Sequence, residues 1–225
     1  MAAAHSESDG SRPRPHTIGA LVFLLVSLPL GIAGFVGVVT LASVGLGTLV
    51  VWAGLPVLAL LVLLSRAAAR FERRRVRALL GAYVVTPYRP MPESGLRARW
   101  RARLLDGATW RDMAYLILLL PIGIAEFVLV VTLWSTGLAL TALPLYYSFL
   151  PPDAEIFGYF DPHSTAQTLP WAALGVLIVA LSSVVTRGAG AVHARYARLM
   201  LGPGPRARRI VDDADSAPAP LVPVA

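Results

Sequence analysis

The chain has 225 residues, 56% hydrophobic and only 15% charged, with a mean hydropathy of +0.65, whereas about a quarter of a soluble domain is charged. Its formal net charge of +7 comes from Arg alone, since there is no Lys; these Arg flank apolar runs, so anionic lipid headgroups rather than nucleic acid are the expected counter-charge. Cys is 0, which excludes disulfides, thiolate metal sites and cysteine nucleophiles.

Residues 1–16 are polar, contain Pro13 and Pro15, and read as a disordered cytoplasmic leader. Thr17 is the expected N-cap of the first span. The apolar run Ile18–Leu64 covers about two crossings of ~20 residues each. It is too long for a signal-peptide core and lacks a small-x-small cleavage pattern, so it is expected to stay as spans over about 18–41 and 48–65. The glycines and serine of Ala42–Gly47 mark the expected turn. A cytoplasmic loop follows over 66–111.

Thr109 and Asp112 have helix-start spacing, which predicts Thr109 as the cap of a third span over 113–135. Pro144 argues against a straight continuation, so 136–150 reads as a re-entrant piece or an outer helix within an outer segment 136–168. The last span is expected over 169–186, and the Pro/Ala-rich stretch 203–225 as a disordered cytoplasmic tail.

An internal repeat decides the parity of the crossings. Leu28-Pro29-Leu30-Gly31-Ile32-Ala33 matches Leu120-Pro121-Ile122-Gly123-Ile124-Ala125, and Val38-Val39-Thr40-Leu41 matches Val130-Val131-Thr132-Leu133. Arg66–Gly81 likewise aligns with Arg187–Gly202. The expected architecture is therefore an all-α polytopic membrane bundle: four transmembrane helices in two tandem two-span repeats, each followed by a basic interfacial helix. If both copies share one orientation, each crosses an even number of times. Twelve Arg then fall between Arg66 and Arg111 and six between Arg187 and Arg209, none of them in a span. The positive-inside rule puts both termini and the central loop in the cytoplasm, and a five-span arrangement is rejected because it would expose the last cluster.

Few residues offer chemistry. Glu126 is the one ionisable group inside an expected span, a costly position that marks it either for function, protonated and hydrogen-bonded to a neighbouring span, or for snorkelling near the outer interface. Asp153, Glu155, Asp161 and His163 could sense a cation, a basic ligand or acidification, although a solvated loop is the commoner reading. Arg73, Arg74, Arg77, Arg195 and Arg198 stand on the basic helices as candidate coupling residues, against the simpler role of stop-transfer anchors. On the second of these helices Val192, Tyr196, Leu199 and Met200 form an apolar stripe at helical spacing, suited to the cytoplasmic interface or to a partner helix. Gly31, Gly34 and Gly37 favour close helix packing within the chain, with a homodimer face as the alternative. Pro29 and Pro121 are expected to kink their spans alike. No phosphate-binding loop, metal-protease helix or nucleophile elbow is present, and His193 has neither a following carboxylate nor an ATP-binding region that would make it a phospho-acceptor. No catalytic residue, metal or cofactor is expected.

The LPLGI…VVTL block, the GATWRDMAYLILLLPIGIAEFVLVVTLW block and the basic helix endings resemble an actinobacterial membrane sensor domain over roughly residues 15–202. That family often forms the N-terminal part of sensor histidine kinases and also occurs alone. The resemblance implies a four-span, non-enzymatic sensory module of the cytoplasmic membrane, working with a separate histidine kinase or regulator of a two-component system. Here Pro203-Gly204-Pro205 and the acidic tail stand where a kinase region follows in other members. A small transporter, or an accessory subunit of one, is the alternative.

Overall fold

The computed structural model describes residues 16–88, 95–149 and 165–204. Within these, α1 is Thr17–Gly47, α2 Gly54–Leu80, α3 Leu96–Leu105, α4 Gly107–Tyr146 and α5 Thr165–Leu201, with short 3-10 turns at Leu49–Val51 and Tyr147–Phe149. No strand occurs among the described residues. The four longest helices are each long and apolar enough to cross a membrane, so the chain is a multi-pass membrane protein. The leader, the outer-loop residues Asp153, Glu155, Asp161 and His163, and most of the tail lie outside the described residues.

Several boundaries differ from expectation. The helix runs through Ala42–Gly47, and the chain turns at Thr48–Ala53 instead. Gly45 serves packing rather than turning: a Cβ there would sit 2.6 Å from Leu58 Cδ2. The basic segments are not separate helices but the C-terminal parts of α2 and α5, ending at Gly81 and Gly202. The N–H of Gly81 bonds Arg77 O at 3.1 Å and that of Gly202 bonds Arg198 O at 3.2 Å. Gly81 has φ 64°, a left-handed cap that suits glycine.

The cap of α1 is His16, with no side-chain bond, not Thr17. Asp106 caps α4, its carboxylate accepting from Ala108 N at 3.1 Å. This places Thr109 inside the first turn and starts the helix six residues before the expected 113. α4 also continues through Pro144 to Tyr146. Nearby hydroxyls bond backbone oxygens there: Thr141 donates to Gly137 O at 2.7 Å and Tyr146 to Ala139 O at 3.0 Å.

The two aligned LPxGIA segments meet each other. A Cβ on Gly31 would lie 2.8 Å from Leu119 O, and one on Gly123 would lie 2.8 Å from Ser27 O. Each glycine thus rests on the backbone just before the other segment's Leu-Pro, the reciprocal pattern of a local two-fold relation. The register runs in opposite senses, since Gly34 faces Leu116 while Gly31 faces Leu119 and Leu120. α1 and α4 are therefore antiparallel, whereas the sequence reading gives the two copies one orientation.

The other pairs are consistent with this. α2 returns antiparallel to α1, with Gly19 at Leu79 and Gly45 at Leu58. α5 returns antiparallel to α4, with Gly137 at Val179 and Gly175 against Thr141. The α1–α2 turn and the start of α4 consequently share one end of the bundle. Phe149, at the far end of α4, lies at the opposite end.

Candidate functional site: a buried polar waist

Along the inward face of α2, the bundle buries charge. Ser65, Arg66, Ala69, Glu72, Arg73, Val76 and Leu80 form the inward stripe of α2, with Arg75 also buried beside it. Buried ions cost several kcal/mol each unless paired and hydrogen-bonded. Among the described residues, each of the three buried Arg finds a carboxylate.

Nearest the α1–α2 turn, Arg66 Nη2 contacts Asp106 Oδ2 at 2.6 Å and its Nε donates to Thr109 Oγ1 at 2.9 Å. Thr109 passes its own proton to Arg103 O at 2.8 Å. One turn of α4 further on, Arg73 Nη2 contacts Asp112 Oδ1 at 2.8 Å, and Arg73 Nε donates to Leu201 O at 3.1 Å near the end of α5. Tyr88 joins this pair: its hydroxyl donates to Asp112 Oδ2 at 2.6 Å and accepts from Arg73 Nη1 at 3.0 Å. The Tyr88 ring also lies under both guanidinium groups, 4.4 Å from Arg66 and 5.0 Å from Arg73. Burial, aided by the Asp112 hydrogen bond and charge, pushes the Tyr88 phenol up to about 12.

The third layer reaches deepest. Arg75 Nη2 contacts Glu72 Oε1 at 2.7 Å and Ser27 Oγ at 3.1 Å, with its guanidinium 4.0 Å from the Phe23 ring. Tyr115 donates to the same Glu72 oxygen at 2.9 Å and lies 3.0 Å from His193 Nε2. His193 Nδ1 then meets Glu126 Oε1 at 2.7 Å. The line Arg75–Glu72–Tyr115–His193–Glu126 joins α2, α4 and α5 without a break. If Tyr115 donates to Glu72, its oxygen accepts from His193 Nε2–H; a second proton on Nδ1 would make the imidazole cationic opposite Glu126. Glu126 Oε2 and Arg75 Nε and Nη1 are buried with no hydrogen-bond partner among the described residues.

The sequence-predicted residues separate here. Glu126 sits at the end of the relay, its side chain 12% exposed, facing His193 rather than snorkelling. Arg73 is buried in the waist, whereas Arg74, Arg77, Arg195 and Arg198 are exposed. Asp112 pairs with Arg73 instead of closing a helix-start box. On α5 the inward face is His193, Ala194, Ala197 and Leu201, while Val192 and Leu199 are 65% and 64% exposed. Small residues are needed there because a Cβ on Gly190 would lie 3.1 Å from Ala20 Cβ and 3.2 Å from Leu80 Cδ2. Val192 and Leu199 instead present apolar surface to the surroundings, which in a bilayer costs nothing.

Glu72, Tyr88, Tyr115 and the imidazole of His193 did not stand out in the sequence. The available signal was on α2: Arg66, Ala69, Arg73, Val76 and Leu80 recur at three- and four-residue steps, placing two Arg on an otherwise small and apolar stripe.

The family model described as "Putative sensor" matches residues 23–201, which takes in the whole waist from Phe23 to Leu201. The chain belongs to that family. No curated protein and no solved structure matches it. Within this sensor-family chain, the match spans both LPxGIA segments and takes in all but the first six residues of the four membrane-length helices.

Proposed function

We propose that this sensor-family chain is a non-catalytic module of the cytoplasmic membrane. It passes a stimulus from the membrane or its outer face to a separate signalling partner such as a histidine kinase. The observation that supports this most is the waist, where α2, α4 and α5 are tied by buried charge-assisted bonds. Removing one partner of a buried ion pair costs about 3–5 kcal/mol, so these helices exchange between discrete arrangements rather than bending continuously. A switch needs two such states with different affinity for the stimulus. Arg74, Arg77 and Arg195, exposed on the same helices, offer a basic surface to an acidic partner or to lipid headgroups. A photo-crosslinking residue at position 74 or 195, used in native membranes and read by mass spectrometry, tests this. Capture of a kinase or response regulator supports it, and capture of transport subunits or lipid alone opposes it.

The Arg distribution favours cytoplasmic placement of both termini and of the central loop, an arrangement that requires α1 and α4 to run parallel. The antiparallel packing of α1 and α4 favours a second reading, in which the two hairpins are inverted relative to each other. Inverted repeats enclosing a chain of Glu, His and Tyr near mid-bundle are a feature of small transporters and their subunits.

A further inference from the structure

A second feature lies outside the waist, at the end of the bundle that carries the α1–α2 turn. There the outer halves of α1 and α2 meet α3 and the start of α4 around a cavity of about 630 Å³. Leu46, Ala59, Val62, Leu104 and Met113 make its walls apolar, with Trp100 and Trp110 beside them. The volume falls within the ~300–1,000 Å³ of small-molecule sites.

Trp100 and Leu104 also line an adjoining hollow of about 490 Å³, whose other walls include Arg97 and Arg101. An apolar slot therefore opens directly onto a cationic shelf. α3 (LRARWRARLL) carries four Arg and no acidic residue, and Arg97 and Arg101 pair with no carboxylate among the described residues. Arg103 lies 5.0 Å over the Trp100 ring, which fixes a broad indole face at the boundary between slot and shelf.

The geometry points to a binding site for one anionic phospholipid drawn from the surrounding bilayer. An acyl chain enters the slot between α2 and α4, and the phosphate rests on Arg97 and Arg101. Three observations favour this occupant over a soluble apolar ligand or a peptide. The protein is a multi-pass membrane protein, so the slot is supplied from the bilayer. The shelf is cationic only, which suits a headgroup with net negative charge. Trp100 and Trp110, rings of the amphipathic kind enriched at headgroup level, both line the slot. The proposal needs no assignment of inner or outer leaflet, and it is independent of the sensory reading.

The test uses the full chain in nanodiscs of phosphatidylcholine doped with dibrominated-chain phosphatidylglycerol or with dibrominated phosphatidylcholine. Tryptophan emission is read as the brominated fraction rises. The expected result is half-quenching at a roughly 25-fold lower fraction of the phosphatidylglycerol, since each of the two Arg contributes about a fivefold attraction. Arg97→Gln with Arg101→Gln brings the two lipids together, Arg97→Lys with Arg101→Lys keeps them apart, and Ala59→Phe lowers the quenching by both. Equal half-quenching in the unsubstituted chain overturns the proposal and leaves only non-selective boundary lipid. So does a phosphatidylglycerol preference that survives loss of both Arg, or quenching that Ala59→Phe leaves unchanged. The comparison of the two lipids on the unsubstituted chain decides the matter even if a variant folds poorly.

Discussion

Glu126 Oε1 on α4 and His193 Nδ1 on α5 lie 2.7 Å apart, with the imidazole fully enclosed and Phe23 packed edge-on at 4.7 Å between ring centroids. The one ionisable group expected inside a span is therefore the terminus of a relay that ends at Arg75. Its partner arrives from 67 residues further along the chain, on a segment that reads as a surface helix.

This contact gives a first prediction. In a double-mutant cycle over Glu126→Gln and His193→Gln, unfolding in mild detergent returns a coupling energy of about 1–2 kcal/mol, as expected for a buried direct pair. The same cycle between Glu126 and exposed Arg195 returns less than about 0.5 kcal/mol. Equal couplings would remove Glu126 from the relay.

The Arg73–Asp112 pair gives a second. Both side chains are almost fully buried, so Asp112→Ala strands a guanidinium and costs about 3–5 kcal/mol, read as a lower unfolding midpoint. Arg73→Met combined with Asp112→Leu recovers most of that loss, because an apolar pair has no desolvation penalty to offset. If the double variant is as unstable as Asp112→Ala, the loss is not one of charge pairing.

Tyr88 gives a third, in pH. Its phenol titrates at about 12 against the ordinary 10.0, so the fold favours the neutral, proton-donating form. The stabilisation it lends the waist is complete below pH 10 and is lost as pH rises from there through about 12. Ultraviolet titration of tyrosinate should show one fewer late-titrating group in Tyr88→Phe than in the unsubstituted chain. A Tyr88→Phe titration curve that differs only by a group at the ordinary value would contradict the assignment.

The crossing of α1 and α4 gives a fourth. Gly31→Ala or Gly123→Ala drives a methyl into backbone atoms of the other helix at 2.8 Å, and costs about 1–3 kcal/mol. Gly37→Ala meets nothing within 4 Å and is neutral or stabilising by up to about 1 kcal/mol. The contrast, measured as midpoint shifts, separates a packing role from a general dislike of Ala in these helices.

Much of the fold was legible because membrane helices announce themselves by length and apolarity. The four membrane-length helices follow from local pattern, and the two LPxGIA blocks are alike in sequence. What could not be read was how the blocks face each other. Similar sequence says that two segments fold alike, not whether they pack parallel or antiparallel, and Arg counting supplied a direction that the Gly31–Gly123 crossing does not follow. The turn was misplaced for a related reason: Gly45 looks like a loop residue, but its missing side chain serves contact with Leu58. The site was legible at Glu126 and Arg73 alone. Glu72, Tyr88, Tyr115 and His193 become a site only when three helices converge, and periodicity within one segment carries no trace of that.

The central claim is that this chain is a sensory module whose Arg-bearing helices hand a state of the waist to a separate protein. The most direct measurement places a photo-crosslinking residue at position 74 or 195 in the native membrane, in the unsubstituted background and in Glu126→Gln, and identifies the captured protein. The account predicts a histidine kinase or response regulator, with a capture yield that changes when the relay is broken at Glu126. Capture of a transport ATPase or permease subunit, or of lipid alone, would contradict it.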